Sequence, residues 1–221
     1  MYYVIDKNID PWWNLAAEEY LFKQLSVPIF RLWQNNNAII IGHHQNAFAE
    51  INTEYVRSNG IKVVRRLTGG GAVFHDLGNI NFTFIDNVTV SEDTSSMFAR
   101  FTKPIIEALR ELGVNAYLEG RNDLLIDGKK FSGNAVARYK NRLLQHGTLL
   151  FSASMADLSN ALSPDRRNLQ ANLYSQTEAG SPIFPSTLKS RCQLRISLNI
   201  FIILLPERGP DTVSINIQRR I

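Results

Sequence analysis

The sequence predicts an α/β fold of the α+β kind, in which a mixed or antiparallel sheet is flanked by helices. Three observations carry that expectation. Short apolar runs of strand character outnumber the helical patterns and mostly follow one another directly, which favours neighbouring strands over a doubly wound arrangement. Two segments, 14–25 and 96–112, repeat apolar residues at helical spacing. Turn signals such as Asn35-Asn36-Asn37, Asn59-Gly60 and Asp127-Gly128 separate the runs.

The elements follow in order. Residues 2–5 alternate as a strand, and 14–25 read as a helix with Leu15, Glu18, Phe22 and Leu25 on one face and Asn14 as N-cap after Pro11-Trp12-Trp13. Residues 29–33 and 38–41 are strand-like and are expected to form a hairpin through the three asparagines. A short helix from Thr53 stops at Asn59-Gly60, and 62–66 form a strand that leads into three glycines. Residues 79–85 are a further strand, and 96–112 are the longest helix, with Gly113 as its stop. Residues 124–126 and 130–132 flank Asp127-Gly128 as a hairpin, and 146–151 close the set.

At 221 residues, 44% hydrophobic and 20% charged, the chain has the composition of a globular protein with a real core. The opening MYYVIDKNIDPWW has no basic start followed by a continuous apolar stretch, and the longest apolar run, 196–205, is broken by Ser197 and Asn199. That run is well short of the ~20 residues a membrane span needs. No membrane association is expected, and the location expected is cytoplasmic. The single cysteine, Cys192, leaves no disulfide framework and no Cys-rich metal site, in keeping with a reducing compartment. The net charge of +4 is mostly a property of the tail. From Thr177 onward six basic residues face three acids, leaving 18 basic and 17 acidic side chains before it. No nucleic-acid partner is expected, because no basic stripe interleaved with aromatics is present.

The stretch RRLTGGGAVFHD invites a phosphate. It fails G-x-G-x-x-G, which would need glycine at Phe74, and a strand pattern follows where that motif requires a helix. Adjacent glycines nonetheless let several backbone N–H groups point into one concavity and let an anion or an acyl chain approach closely. Arg65 and Arg66 alternate across the incoming strand, so one of them faces the pocket and offers a charge-assisted fork. A flexible hairpin tip with surface arginines explains the glycines equally well when they are taken alone. Two further clusters shift the balance: Gly120-Arg121-Asn122-Asp123, and Lys129-Lys130 leaving the Asp127-Gly128 turn, where a strand-borne lysine is a point charge for a carboxylate or α-phosphate. His43-His44 is not expected to be a metal pair, because adjacent strand residues face opposite ways.

In series, DPWWNLAAEEYLF, RRLTGGGAVFHDLGNINFTF, GRNDLLIDGKKFSGNAVA and QHGTLLF resemble lipoate–protein ligase A, from about Asp10 to about Gln170. The resemblance implies the catalytic-domain fold of biotin and lipoyl protein ligases. It also implies the activity: lipoate and ATP, with Mg²⁺, give lipoyl-AMP, and the lipoyl group passes to a lysine on a lipoyl domain of a 2-oxoacid dehydrogenase subunit or on the glycine-cleavage H protein. It matches Arg66, Gly71, Ala72, Val73, Phe74 and Lys130 to ATP binding. Lys130, Gly70, Gly71 and His75 are matched to lipoate, and Lys130 also to catalysis. Asn122, Asp123 and His146 are weaker candidates, Asp123 as a possible Mg²⁺ contact. Val73, Phe74 and Trp33 are candidates for the apolar wall, with core packing as their alternative use. The chemistry agrees, since a lysine between two anions lowers their repulsion and stabilises charge on the α-phosphate, and no enzyme nucleophile is needed.

The resemblance ends at the C-terminal side. The family continues with a segment like K-G-I-x-S-V-x-S-R-V-x-N and a small accessory domain, whereas this chain continues without periodicity. Back-translation of 177–185 as ACA GAA GCA GGG TCG CCA ATA TTT CCC, read two bases later, gives R-S-R-V-A-N-I-S, the absent segment. The expected organisation is a catalytic domain over 1–176, incomplete at its C-terminal end, and a divergent tail over 177–221 produced by a change of reading frame, with no accessory domain and with impaired activation. Two alternatives stay open: a lipoyltransferase that uses preformed lipoyl-AMP or a separate accessory subunit, and a non-catalytic remnant.

Overall fold

The structure, a computed structural model, describes residues 1–88, 93–120, 122–151 and 154–162. The expected tail, Cys192 and Arg121 lie outside the described residues. Two sheets form the body. The larger has seven strands in the order β1-β2-β6-β10-β9-β8-β7, and the smaller has three in the order β4-β3-β5.

The chain starts with β1 (Tyr2–Ile5), α1 (Pro11–Gln24) and β2 (Ile29–Trp33). β1 and β2 pair in parallel, because a helix long enough to return the chain lies between them. α1 is capped by Asp10, whose side chain accepts from the Trp13 N–H, with Pro11 in the first turn. The expected cap, Asn14, is instead inside the helix and fully buried. Its amide donates to the Asn8 and Gln34 carbonyls and to Asn35 Oδ1, and this tertiary use outcompetes local capping.

β3 (Ala38–Ile41) does not pair with β2, so the expected hairpin does not form. The asparagine turn passes the chain from one sheet to the other, and Asn37 takes positive φ at 49°. β3 leads through two short helices, α2 (Ala47–Glu50) and α3 (Thr53–Ser58), to a parallel partner, β4 (Lys62–Arg65). On the other side β3 pairs antiparallel with β5 (Val73–His75). The glycines thus connect the two edge strands of the small sheet.

β6 (Asn79–Asn87) is central in the large sheet, between β2 and β10 (Arg142–Leu150), and antiparallel to both. α4 (Thr94–Glu111) follows β6 and packs Phe101, Ile105 and Leu109 on the sheet face carrying Phe82, Phe84 and Phe131. β7 (Ala116–Glu119), β8 (Asp123–Ile126) and β9 (Lys129–Tyr139) extend the sheet antiparallel. The Asp127-Gly128 turn has both central residues at positive φ, 50° and 75°, which suits the twist of a two-residue hairpin. β9 and β10 run well beyond the expected limits of 130–132 and 146–151. Polar residues inside both strands masked the pattern. α2, β7 and the terminal α5 (Met155–Ala161) were not expected at all.

The layers are therefore α4, the large sheet, then α1 beside the small sheet, and α2, α3 and α5 outside. Phe74, Ile39 and Ile41 face the outer helices, while Ile40, Ala38, Leu15 and Trp33 pack between the sheets. Among the described residues no helix is long and apolar enough to cross a membrane.

Candidate active site

A cavity of about 180 Å³ opens between the two sheets. Its floor follows the ladder of the large sheet. Thr148 of β10 stands opposite Asn81 of β6, which stands opposite Trp33 of β2, and His146 stands opposite Ala135 on β9. Strands lie ~4.8 Å apart, so the floor spans roughly 14 Å from β9 to β2. Leu15, Ile40 and Val73 add apolar wall, and Gly69, Gly70 and Gly71 form one side.

Arg66 shapes that glycine side. Its Nε donates to Thr68 Oγ1 at 3.0 Å, Nη1 to the Ile40 carbonyl at 3.0 Å, and Nη2 to the carbonyls of Gly69 and Gly71 at 2.8 and 2.7 Å. The expected fork for a phosphate is thus committed to the protein's own carbonyls. The Thr68 carbonyl is also tied, to the His43 N–H at 2.8 Å. Gly70 is at φ 96°, and its carbonyl packs against Gly42 so closely that a Cβ at position 42 would lie 2.0 Å from it. While Arg66, itself a lining residue, holds the Gly69 and Gly71 carbonyls, the N–H groups of Gly69, Gly70 and Gly71 are without protein partners among the described residues. This is the arrangement an anion needs. Arg65 takes the outer side, as alternation requires, and grips the carbonyls of Gly42, His43 and Gln45.

Lys130 reaches the cavity from β9, where the pairing with β8 is irregular: Leu124 stands opposite Ser132 and Leu125 opposite Lys130. Phe131, the residue skipped, is buried in the core under α4. The bulge therefore brings Lys130 and Gly133 to one wall although they are three residues apart. Lys130 Nζ lies 3.0 Å from Asp123 Oδ1, and both side chains are partly exposed. Asn122 also lines the cavity, and its amide donates to the Asn134 carbonyl at 2.7 Å. Asp123 stands behind Lys130, and among the described residues no three His, Cys, Asp or Glu side chains gather as a metal cage.

His75 lines the cavity too, with its Nδ1 3.1 Å from the Asn35 amide. Burial, helped by the charge of Arg66, pushes its pKa down to about 3, so the ring is neutral near pH 7. Phe74, between Val73 and His75, points the other way into the outer core and does not line the cavity. His43 and His44 do not face opposite ways, because β3 ends at Ile41; their rings meet edge-on at 4.5 Å.

Sequence reasoning missed a buried polar chain beneath the cavity. Glu18, 1% exposed on α1, accepts from Thr83 Oγ1 at 2.6 Å and lies 3.0 Å from His146 Nδ1, while His146 Nε2 is 2.7 Å from Thr68 Oγ1. Trp33 Nε1 donates to Thr83 Oγ1 at 2.9 Å. Burial pushes the Glu18 carboxyl upward, but His146, the Thr83 hydrogen bond and Arg31 together hold it below the usual range. A glutamate on the apolar face of a predicted helix was the one signal that could have revealed it.

The profile of the lipoyl protein ligase A/B catalytic domain matches residues 10–181, a span that contains both walls of the cavity. The chain belongs to that family. Its sequence is 47% identical over 174 residues to lipoate-protein ligase LplJ of Bacillus subtilis, covering 77% of this chain and 52% of that protein. It is 45% identical over 167 residues to lipoate–protein ligase 1 of Staphylococcus aureus, covering 73% and 50%. The chain thus spans about half the length of these relatives. In fold it is similar to a bi-partite lipoate protein ligase from Thermoplasma acidophilum, solved with its E2 lipoyl domain as an archaeal lipoylation system, at a TM-score of 0.76 and 27% identity, covering 96% of this chain and 86% of that one. It is also similar to a lipoate-protein ligase A bound with ATP, at a TM-score of 0.69 and 26% identity, covering 90% and 83%. The family's mixed fold is the one expected from the sequence.

Proposed function

We propose that this chain carries the catalytic portion of a lipoate–protein ligase, which activates lipoate with ATP and passes the lipoyl group to a lysine of a lipoyl domain. One observation carries the reading: an apolar cavity has the unpartnered N–H groups of Gly69, Gly70 and Gly71 on one side and Lys130 at the β9 end. An acyl chain lies along the floor toward Trp33, its carboxylate at Lys130 and the nucleotide phosphates on the glycine N–H groups. The carboxylate oxygen attacks the α-phosphorus, the bond to pyrophosphate breaks, and lipoyl-AMP forms. Lys130 reduces the repulsion between the two anions and stabilises charge on the α-phosphate. Arg66 keeps the loop carbonyls out of the phosphates' way and adds positive potential behind them.

The neutral amine of an acceptor lysine then attacks the acyl carbonyl, AMP leaves, and an amide forms. The anhydride is already activated, so no enzyme nucleophile takes part. Mg²⁺ that arrives with ATP would screen the triphosphate. Asp123, paired with Lys130, is the carboxylate proposed to hold it, and one carboxylate plus phosphates is a usual Mg²⁺ environment. Lipoyl domains of 2-oxoacid dehydrogenase subunits and the glycine-cleavage H protein are the acceptors proposed, in the cytoplasm where ATP is available.

A two-part assay tests the reading. Purified protein is given lipoate and ATP, and adenylate is measured; it is separately given synthetic lipoyl-AMP and a lipoyl domain, and transfer is measured. Both products are expected, and the absence of both would end the proposal.

A further inference from the structure

The buried Glu18 carboxylate is used by no step above, yet it is fully enclosed and answered by two hydrogen-bonding groups, Thr83 Oγ1 and His146 Nδ1. We propose that Glu18 is a positioning residue for Arg66, acting through His146 and Thr68, and that this chain sets the glycine loop for nucleotide binding. The inference rests on the reading of the glycine loop as the phosphate wall.

Each atom of the chain has one consistent role. His146 Nδ1 faces both Glu18 oxygens, at 3.1 and 3.0 Å, so the ring carries its proton there and donates it to the carboxylate. Nε2 is then an acceptor, and it takes the hydroxyl hydrogen of Thr68 at 2.7 Å. With its hydrogen so directed, Thr68 Oγ1 presents a lone pair to Arg66 Nε–H at 3.0 Å. Fixing Nε fixes the plane of the guanidinium, and with it the two Nη2 bonds that hold the Gly69 and Gly71 carbonyls. Without a carboxylate as tautomer anchor, Nε2 could carry the proton and would compete with Arg66 for the same hydroxyl oxygen.

Charge points the same way as geometry. Arg66 is buried and, among the described residues, touches no carboxylate; its direct partners are carbonyls and one hydroxyl. Burial lowers its pKa to about 10, and Glu18 is the charge that pulls against this. Thr68, 1% exposed, is not part of the cavity wall, so its hydroxyl acts on a ligand through its partners, and Arg66 is the one that holds the glycine loop.

The test measures ATP and lipoate dissociation constants on the full chain for wild type, Thr68→Val, Thr68→Ser and Glu18→Gln, with melting temperature as the folding check. Thr68→Val keeps the shape and removes the hydroxyl. It is expected to weaken ATP about tenfold, as for loss of one hydrogen bond to a charged group, with lipoate binding unchanged. Thr68→Ser restores ATP binding to within about twofold, as expected if only the hydroxyl matters. Glu18→Gln shifts ATP binding in the wild-type background and adds nothing on top of Thr68→Val, because both act through one link. Should Thr68→Val fail to fold, Thr68→Ala carries the same comparison. Unchanged ATP binding in the Val variant, parallel loss of ATP and lipoate binding, or additive effects of the two substitutions would each overturn the proposal. A wild type that binds ATP without forming adenylate would overturn the proposed function alone, since the chain is read from ATP binding.

Discussion

Arg66 and Gly71 are joined side chain to backbone, with Nη2 of the arginine donating to the glycine carbonyl at 2.7 Å. The same nitrogen holds the Gly69 carbonyl at 2.8 Å, so one planar group fixes two peptide planes of the loop. An arginine, a residue type suited to phosphate, is here bonded to its own loop.

Arg66→Lys is therefore not a conservative change. An ammonium on a flexible stem cannot satisfy Ile40, Gly69, Gly71 and Thr68 together. Buried carbonyls left unpaired cost about 1–3 kcal/mol each, so the melting temperature should drop by several degrees. ATP binding should weaken by at least about tenfold, the loss of one charge-assisted bond. Calorimetry and nucleotide titration on the same sample check both. An Arg66→Lys variant with wild-type ATP affinity would contradict the loop's dependence on the guanidinium.

Two glycines should answer alanine in opposite ways. A Cβ at Gly69 meets nothing within 4 Å and the residue has no positive φ, so Gly69→Ala should keep stability within about 0.5 kcal/mol. The methyl sits beside the cavity, however, and adenylate formation should fall. Gly42→Ala places Cβ 2.0 Å from the Gly70 carbonyl oxygen, a backbone atom that must shift, and should cost about 1–3 kcal/mol. Chemical denaturation together with adenylation rates separates the two.

Lys130→Met should separate catalysis from stability. Its pairing with Asp123 is partly exposed, and such pairs contribute about 0–1 kcal/mol. Adenylate formation should fall about 10²–10³-fold, the usual cost of removing a group that stabilises developing charge. If adenylation in the Met variant matched wild type, the catalytic role of Lys130 would be withdrawn.

Acid should destabilise the protein from near neutrality downward. In the unfolded chain His75 takes a proton near its ordinary value of 6.5, whereas in the fold it resists until about 3. Protonation therefore favours unfolding, and stability present above about pH 6.5 is lost as pH falls, by about 1 kcal/mol per pH unit from this group. Glu18 acts in the same direction lower down, because its folded carboxyl is held below the usual range and its contribution disappears as that carboxyl protonates. Urea midpoints between pH 4.5 and 7 should show the slope. His75→Gln, whose amide can still meet Asn35, should flatten it; an unchanged slope would exclude His75 as the source.

Local pattern settled a good deal of this molecule. The spacing of apolar residues marked α1 and α4, the alternation across 62–66 put Arg65 and Arg66 on opposite sides, and Asp127-Gly128 marked the hairpin before Lys130. These features depend on neighbours in the chain, and propensity and periodicity report on neighbours. The three asparagines at 35–37 misled for the same reason: a turn signal states that the chain bends and is silent on which sheet receives it.

Other features arose only where distant segments met. Lys130 reaches the cavity because a bulge resets the parity of β9, and bulges are set by pairing with β8. Asn14 left its capping role because Asn8, Gln34 and Asn35 offered buried partners. Glu18, Thr68, Thr83 and His146 come from α1, the loop after β4, β6 and β10, and each is an ordinary polar residue when taken singly. Burying them together removes water as a competitor, so each must find its partner in the protein. The sequence by itself determined the two long helices, most of the strands and the turn between β8 and β9. The tertiary structure alone decided that Arg66 holds the loop's carbonyls while its N–H groups stay without protein partners among the described residues, because that choice is made by the buried hydrogen-bond network and no local pattern encodes it.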